Sequence, residues 1–248
     1  MPHRVMGCLL GAVLLLGAAV LPAIADEAVP PAQRAAIEQI VHDYLLQHPE
    51  VLIQSLQDAQ EKERQQDAAR AKDALAQHRA ELVDDPTAPV GGNPKGNVTI
   101  VEFFDYRCPY CKQVEPALEA LLREDGQIRI VYKEFPILGK PSVLAAQVAL
   151  AARQQGKYAA FHSAMMAAKG QIDDASVWRV AANVGLDIAK AKAAIGSGEA
   201  EAIIKRNYAL AEALDIRGTP AFVIGGEMVP GAIDIATLKE KIAAARKG

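Results

Sequence analysis

Val98-Thr99-Ile100-Val101-Glu102-Phe103-Phe104-Asp105-Tyr106-Arg107-Cys108-Pro109-Tyr110-Cys111 decides the fold. Apart from Glu102, its first seven residues are β-branched, aromatic or apolar, a run of strand length suited to burial on both faces. It ends at a Cys-x-x-Cys whose Pro109 fits the first position of a helix, where its missing N–H would be unpaired in any case. Pro109 to Arg123 then carries Val114, Ala117, Leu118, Leu121 and Leu122 at helical spacing, and Ile128 to Phe135 alternates as a second strand. A β-α-β unit therefore brackets the cysteines, and the predicted fold class is α/β.

A cysteine that ends a strand and opens a helix sits where unpaired backbone N–H groups and the positive end of the helix dipole stabilise an anion. Cys108 holds that place, and Cys111 follows within the same turn. The order suits thiol-disulfide exchange: an exposed Cys108 thiolate attacks and leaves, and a more buried Cys111 resolves the mixed disulfide. Tyr110 between them carries no positive charge and supports the thiolate less directly than a histidine would. Glu102 shares a strand face with Phe104, and a buried carboxylate titrates high, so it is a candidate to take the proton that Cys111 must lose. A glutamate reaching solvent from the strand end is the competing reading.

Upstream, Arg4 precedes the apolar run Val5 to Val20 and then Ala23-Ile24-Ala25 before Asp26, the pattern of a secretory signal peptide over residues 1–25. The run is shorter than the roughly 20 apolar residues of a membrane-spanning helix; an uncleaved anchor is the alternative. Cys8 leaves with the leader, so the mature chain keeps two of its three cysteines, both in one motif. A bridge across two residues closes a tiny loop and stabilises little, which assigns the pair to chemistry in an oxidising compartment. The formal net charge of −3 offers no basic footprint for nucleic acid.

Between leader and motif, Ile37, Ile40, Val41, Tyr44 and Leu45 recur at helical spacing; Pro49 interrupts the stripe, and Leu52 and Leu56 resume it. Gln57 to His78 is almost wholly polar or alanine, a solvated helix or a flexible linker. A helical hairpin of this size does not build its own core, so the stripe is expected to meet its counterpart in another subunit, with folding back onto its own chain as the alternative. Residues 83–96, rich in proline and glycine, mark a domain boundary. Ser142 to Leu214 reads as an alanine-rich helical insertion, and Ala221 to Ile224, Gly225-Gly226 and Met228 to Pro230 as a β-hairpin before a helix from Ile235 to Arg246. Met165, Met166 and Trp178 are expected in the core. His42, His48, His78 and His162 are scattered and expected at the surface or an interface. No metal site is expected, although two thiolates could hold a soft ion such as Cu(I); zinc would need four ligands.

Val101 to Cys111 together with Gly218-Thr219-Pro220-Ala221-Phe222 resembles the DsbA-like branch of bacterial periplasmic thioredoxin-fold proteins, over roughly Asn97 to Gly248. The resemblance implies a thioredoxin-fold domain at 83–248 with its helical insertion at about 140–214. It makes Cys108 nucleophilic, Cys111 resolving and Glu102 the acid beneath them, with Pro109 and Tyr110 completing the motif. Thr219-Pro220 becomes a cis-proline loop that offers its backbone to an extended substrate, and threonine there looks more like the isomerase and reductase members. Tyr44 to Leu52 resembles the amino-terminal extension of ScsC-type proteins, named for suppression of copper sensitivity, some of which trimerise. Residues 26–82 then form an oligomerisation and linker segment. What the two resemblances imply is a periplasmic disulfide isomerase without cofactor, a trimer acting on misfolded exported proteins and kept reduced by a membrane-embedded reductase. A DsbA-like oxidase served by a membrane-embedded oxidase, and a Cu(I)-binding copper-stress protein, are the alternatives.

Overall fold

The computed structural model describes residues 30–247; the leader read over residues 1–25 lies outside them. The chain divides after Gln60 into two compact units.

The first holds α1 (Pro31–Gln47) and the start of α2 (Pro49–Gln77). Both helices open on proline, which fits a first turn but not an interior, and the His48 N–H closes α1 on the Tyr44 carbonyl at 2.8 Å. The stretch from Gln57 to Gln77 is helix throughout rather than flexible linker. Gln54 bonds to Asp58, and Arg64 and Gln65 both reach back to Glu61, pairs at the spacing that supports a solvated helix. The α1 helix buries none of its residues, and Ile37, Ile40, Val41 and Tyr44 are each half exposed or more, as are Ile53 and Leu56 of α2.

The second unit runs from Glu61 and contains a five-stranded sheet of order β1-β3-β2-β4-β5. Its start lies upstream of the boundary expected at residue 83, because Leu75 and Leu82 are buried in one cluster with Val101, Phe103 and Val131. The strands are β1 (Val90–Gly92), β2 (Val98–Phe104), β3 (Ile128–Glu134), β4 (Ala221–Ile224) and β5 (Glu227–Pro230). The pair β2 and β3 is parallel and joined through α4 (Pro109–Glu124), while β1 and β4 add antiparallel on either side. A two-residue loop, Gly225-Gly226 with φ of +60° and +80°, joins β4 to β5; only glycine enters that region at no steric cost.

Even-numbered residues of β2 face Val114, Leu118 and Leu121 of α4, and odd-numbered ones face Leu210 and Leu214 at the end of α9 (Glu199–Ala213). Each such side chain, fully buried, contributes about 1.5–3 kcal/mol. The insertion is α5 (Lys140–Gln154), α6 (Tyr158–Ala167), α7 (Asp174–Asn183), α8 (Ile188–Gly196) and α9, and α10 (Ile235–Ala245) closes the chain. Short α3 (Arg79–Val83) precedes β1.

Three expectations need correction. The β3 strand does not alternate: Ile130 to Glu134 are all buried, since helices cover both faces. The turn-rich stretch hides β1, too short and too rich in glycine to show a period. His162 lies in the core at 2% exposure rather than at the surface. Met165 and Met166 are buried, and Trp178 is half-buried against the core with Lys192 over its ring. No helix of the described residues is long and apolar enough to cross a membrane.

Candidate active site

The β2 strand delivers the chain to a tight turn at its carboxyl end. The Asp105 carboxylate accepts from the Arg107 N–H at 2.7 Å and the Leu138 N–H at 2.9 Å, and the Asp105 carbonyl accepts from the Cys108 N–H at 3.0 Å. The turn makes Cys108 the N-cap of α4 with Pro109 in its first turn. Both cysteines are free thiols.

Cys108 is less open than expected. It is 4% exposed against 0% for Cys111, because the loop before β4 lies across it and the Thr219 carbonyl accepts from Cys108 Sγ at 3.2 Å. The order of burial is the expected one, with the first cysteine the only one of the pair that reaches the surface. The Thr219-Pro220 bond is cis, and the Gly231 N–H donates to the Pro220 carbonyl at 2.9 Å. Beside this loop runs an open groove of about 290 Å³, walled by Ile216, Arg217, Met228 and Pro230. Tyr110, between the two cysteines, is 60% exposed.

Beneath the cysteines lies Glu102, 1% exposed, in register with Tyr132 of β3 and Phe222 of β4. It does not reach solvent. Neither of its carboxyl oxygens has a hydrogen-bond partner, and burial, followed by the facing carboxyls of Glu115 and Glu134 and by Cys108, pushes it well above the usual carboxylate range. Burial likewise pushes the Cys111 thiol up, with Glu102 and Cys108 adding to the shift.

The structure adds residues that the sequence reading left out. Glu115 follows Cys111 by one helical turn on the same face, and its Oε1 lies 3.3 Å from Nε2 of His162 in α6. His162 Nδ1 is 3.2 Å from the Tyr106 hydroxyl, and the Tyr106 and Tyr158 hydroxyls both donate to Glu134. Lys112 caps the end of α6, donating to the carbonyls of Met165, Met166 and Ala168 at 2.6, 3.0 and 3.1 Å. The spacing Tyr158, Phe161, His162, Met165, Met166 already placed His162 on an apolar helix face; nothing in the linear sequence tied it to Glu115. Among the described residues no group of three or more histidine, cysteine or acidic side chains is placed to hold a metal.

Residues 99–243 match the family described as the DSBA-like thioredoxin domain. The chain belongs to the DsbA-like thioredoxin family. DsbA-like proteins are a class of thiol-disulfide oxidoreductases, and the site described above has the cysteine pair such chemistry uses. Residues 33–66 match a second family, described as the copper resistance protein ScsC N-terminal domain. A thioredoxin-like oxidoreductase from Silicibacter pomeroyi is 46% identical, over 68% of this chain and 98% of that one, with a TM-score of 0.67. Proteus mirabilis ScsC in a transitional conformation is 28% identical over 87% of this chain and 98% of that one, with a TM-score of 0.67. The Na(+)/H(+) antiporter NhaA 3 of Salinispora tropica is 28% identical over 66% of this chain, which spans only 25% of the antiporter's length.

Proposed function

We propose that the chain is a periplasmic thiol-disulfide oxidoreductase working as a protein disulfide isomerase on misfolded exported proteins, with Cys108 as nucleophile, Cys111 as resolving thiol and Glu102 as the acid that exchanges a proton with Cys111. The observation that carries it is Cys108 Sγ at a helix N-terminus, seated against the Thr219 carbonyl with Cys111 buried behind it. A substrate strand lying along the Thr219-Pro220 loop would bring its disulfide to the one sulfur that reaches the surface.

In isomerisation the Cys108 thiolate attacks one sulfur of a substrate disulfide. A mixed disulfide forms and one substrate thiolate leaves. That thiolate attacks a second substrate disulfide, and a substrate thiolate finally attacks the mixed disulfide, so the native bridge forms and Cys108 departs as thiolate with no net change in electrons. Cys111 competes: once deprotonated it attacks Cys108 Sγ, expels the substrate thiol and takes both electrons' worth of oxidation into the Cys108–Cys111 bridge. Burial holds Cys111 protonated, which lengthens the time available for shuffling and supports the isomerase reading. A membrane-embedded reductase would then reset any bridge that forms. The exposed apolar stripe of α1, in a segment matched by the ScsC amino-terminal domain, supports a homo-oligomer, with a trimer as the assembly proposed.

The test is reactivation of a substrate with scrambled disulfides by the reduced protein, alongside oxidation of a fully reduced substrate by the disulfide form. Reactivation that disappears in Cys108→Ser is expected. Rapid oxidation without reactivation would make the protein a DsbA-like oxidase instead, and activity retained by Cys108→Ser would overturn the assignment altogether.

A further inference from the structure

The cysteines follow the carboxyl end of β2. At its amino end, the sheet and the helices that precede it enclose a second open groove, of about 490 Å³. One wall is Lys72, Leu75 and Ala76 of α2 and Arg79 of α3, which recur at helical spacing and so share one face. The other is Thr99 of β2 with the Gly225-Gly226 loop, and the buried side chains of Val101 and Val223 form the floor. All of these residues belong to the second unit.

Charge and polarity are distributed unevenly around this groove. Among the described residues that line it are two cations and no carboxylate, in a chain whose formal net charge is −3. The acids of the neighbouring turn face elsewhere: Glu81 and Asp84 line a different groove together with Lys133 and Arg206. Arg79 does lie 3.6 Å from Asp84, but the two side chains are 74% and 67% exposed, and an ion pair so open to water holds its partners weakly. Of the polar side chains in the lining, Asn97 already accepts from Arg246 at 3.0 Å.

An apolar floor under a cationic rim selects a ligand with an anionic head and an aliphatic body. One turn of a helix about 10 Å wide and 5.4 Å high fills about 420 Å³, so the groove has no room for a helix from a second copy. An extended peptide would press backbone N–H and C=O groups against valine and leucine, which offer them no partner. An alkyl chain carries no such groups, and moving it from water onto this floor is favourable along its whole length.

We propose that the groove binds a medium-chain fatty acid, its carboxylate held by Lys72 and Arg79 and its alkyl chain laid over Val101 and Val223. The site stands apart from the thiol chemistry at Cys108 and does not depend on it. Occupancy ties α2 and α3 to the sheet, and so stabilises the second unit increasingly with ligand concentration.

The experiment titrates the full chain with dodecanoate below its micelle concentration, by calorimetry and by melting temperature. Saturable one-to-one binding with a rising melting temperature is expected. Ala76→Trp, at an exposed helix position, fills the groove and should abolish binding, and Lys72→Ala with Arg79→Ala should weaken it roughly tenfold, the effect of two exposed charges. Dodecanol, which lacks the charge, should bind the parent no better than dodecanoate binds that double variant. In the parent chain, where no variant can misfold, dodecanoate carrying a diazirine at its methyl end should crosslink to β2 or to the β4–β5 hairpin. Crosslinks elsewhere, equal affinity for dodecanol, undiminished binding in Ala76→Trp, or binding only to phosphatidylglycerol vesicles overturns the site. Each of these results leaves the oxidoreductase reading untouched, since none of them measures Cys108.

Discussion

Glu102 is held between Tyr132 and Phe222 with both oxygens unbonded, so its charge would burden the fold. Its folded-state titration lies well above the ordinary value of 4.5. The folded protein therefore holds that proton where the unfolded chain has lost it. This contribution is complete below about pH 4.5 and fades as pH rises through the raised value. Glu102→Gln keeps the shape and removes the titration. It is expected to leave stability little changed below about pH 4.5 and to stabilise the protein increasingly as pH rises above it, where the unfolded wild-type chain has lost the proton that the folded chain holds. Denaturant unfolding on either side of neutrality measures this, and a gain independent of pH would contradict it. At this scale the sequence was informative where one polar residue interrupted an apolar run, as Glu102 does in β2. It was silent where two residues meet only through the fold. Glu115 and His162 sit on different helices, and each by itself reads as one polar residue near an apolar stripe.

The β1 and β3 strands show the same limit for elements. Lys133 in β3 is 1% exposed, and its Nζ reaches Asp85 Oδ2 at 2.7 Å, tying the segment before β1 to the sheet. Burial alone would raise Asp85, but hydrogen bonds from Lys133 and Thr87 hold it below the ordinary carboxylate range. Its stabilisation is present above pH 3.8 and lost as pH falls through the lowered value. Removing one partner strands the other, so Asp85→Ala is expected to cost about 3 kcal/mol, and Lys133→Met added to it should recover most of that loss. Equilibrium unfolding of the two single variants and the double variant checks it; purely additive costs would mean that the pair does not couple. The β-α-β unit, the glycine hairpin and the helical insertion were legible because periodicity and turn residues are local. The burial of Lys133 and Glu134 was not, since the carboxylate and tyrosine hydroxyls that replace water around them arrive from distant parts of the chain.

Assembly is the property for which the molecule offers an unspent surface. Ile37, Ile40, Val41 and Tyr44 of α1 are each half exposed or more, as are Ile53 and Leu56 of α2. Burying the part of each that is still exposed would contribute on the order of 1 kcal/mol, a sum of the same order as the roughly 4–15 kcal/mol lost when subunits give up free motion. The place to cut follows from the core. A deletion of residues 31–80 would remove Leu75, which packs with Val101 and Val131, and should lower the melting temperature as well as change the mass. A deletion of residues 31–60 stops at the division between the two units. It is expected to give a monomer by light scattering that melts as the parent does and exchanges its Cys108–Cys111 pair with small disulfides at the parental rate. Under the proposed reading, in which an oligomer holds several active sites around one client, reactivation of a scrambled protein substrate should fall sharply. An unchanged native mass would remove the oligomer. A monomer that still reactivates the substrate would leave the chemistry of Cys108 intact and show that isomerisation does not depend on assembly.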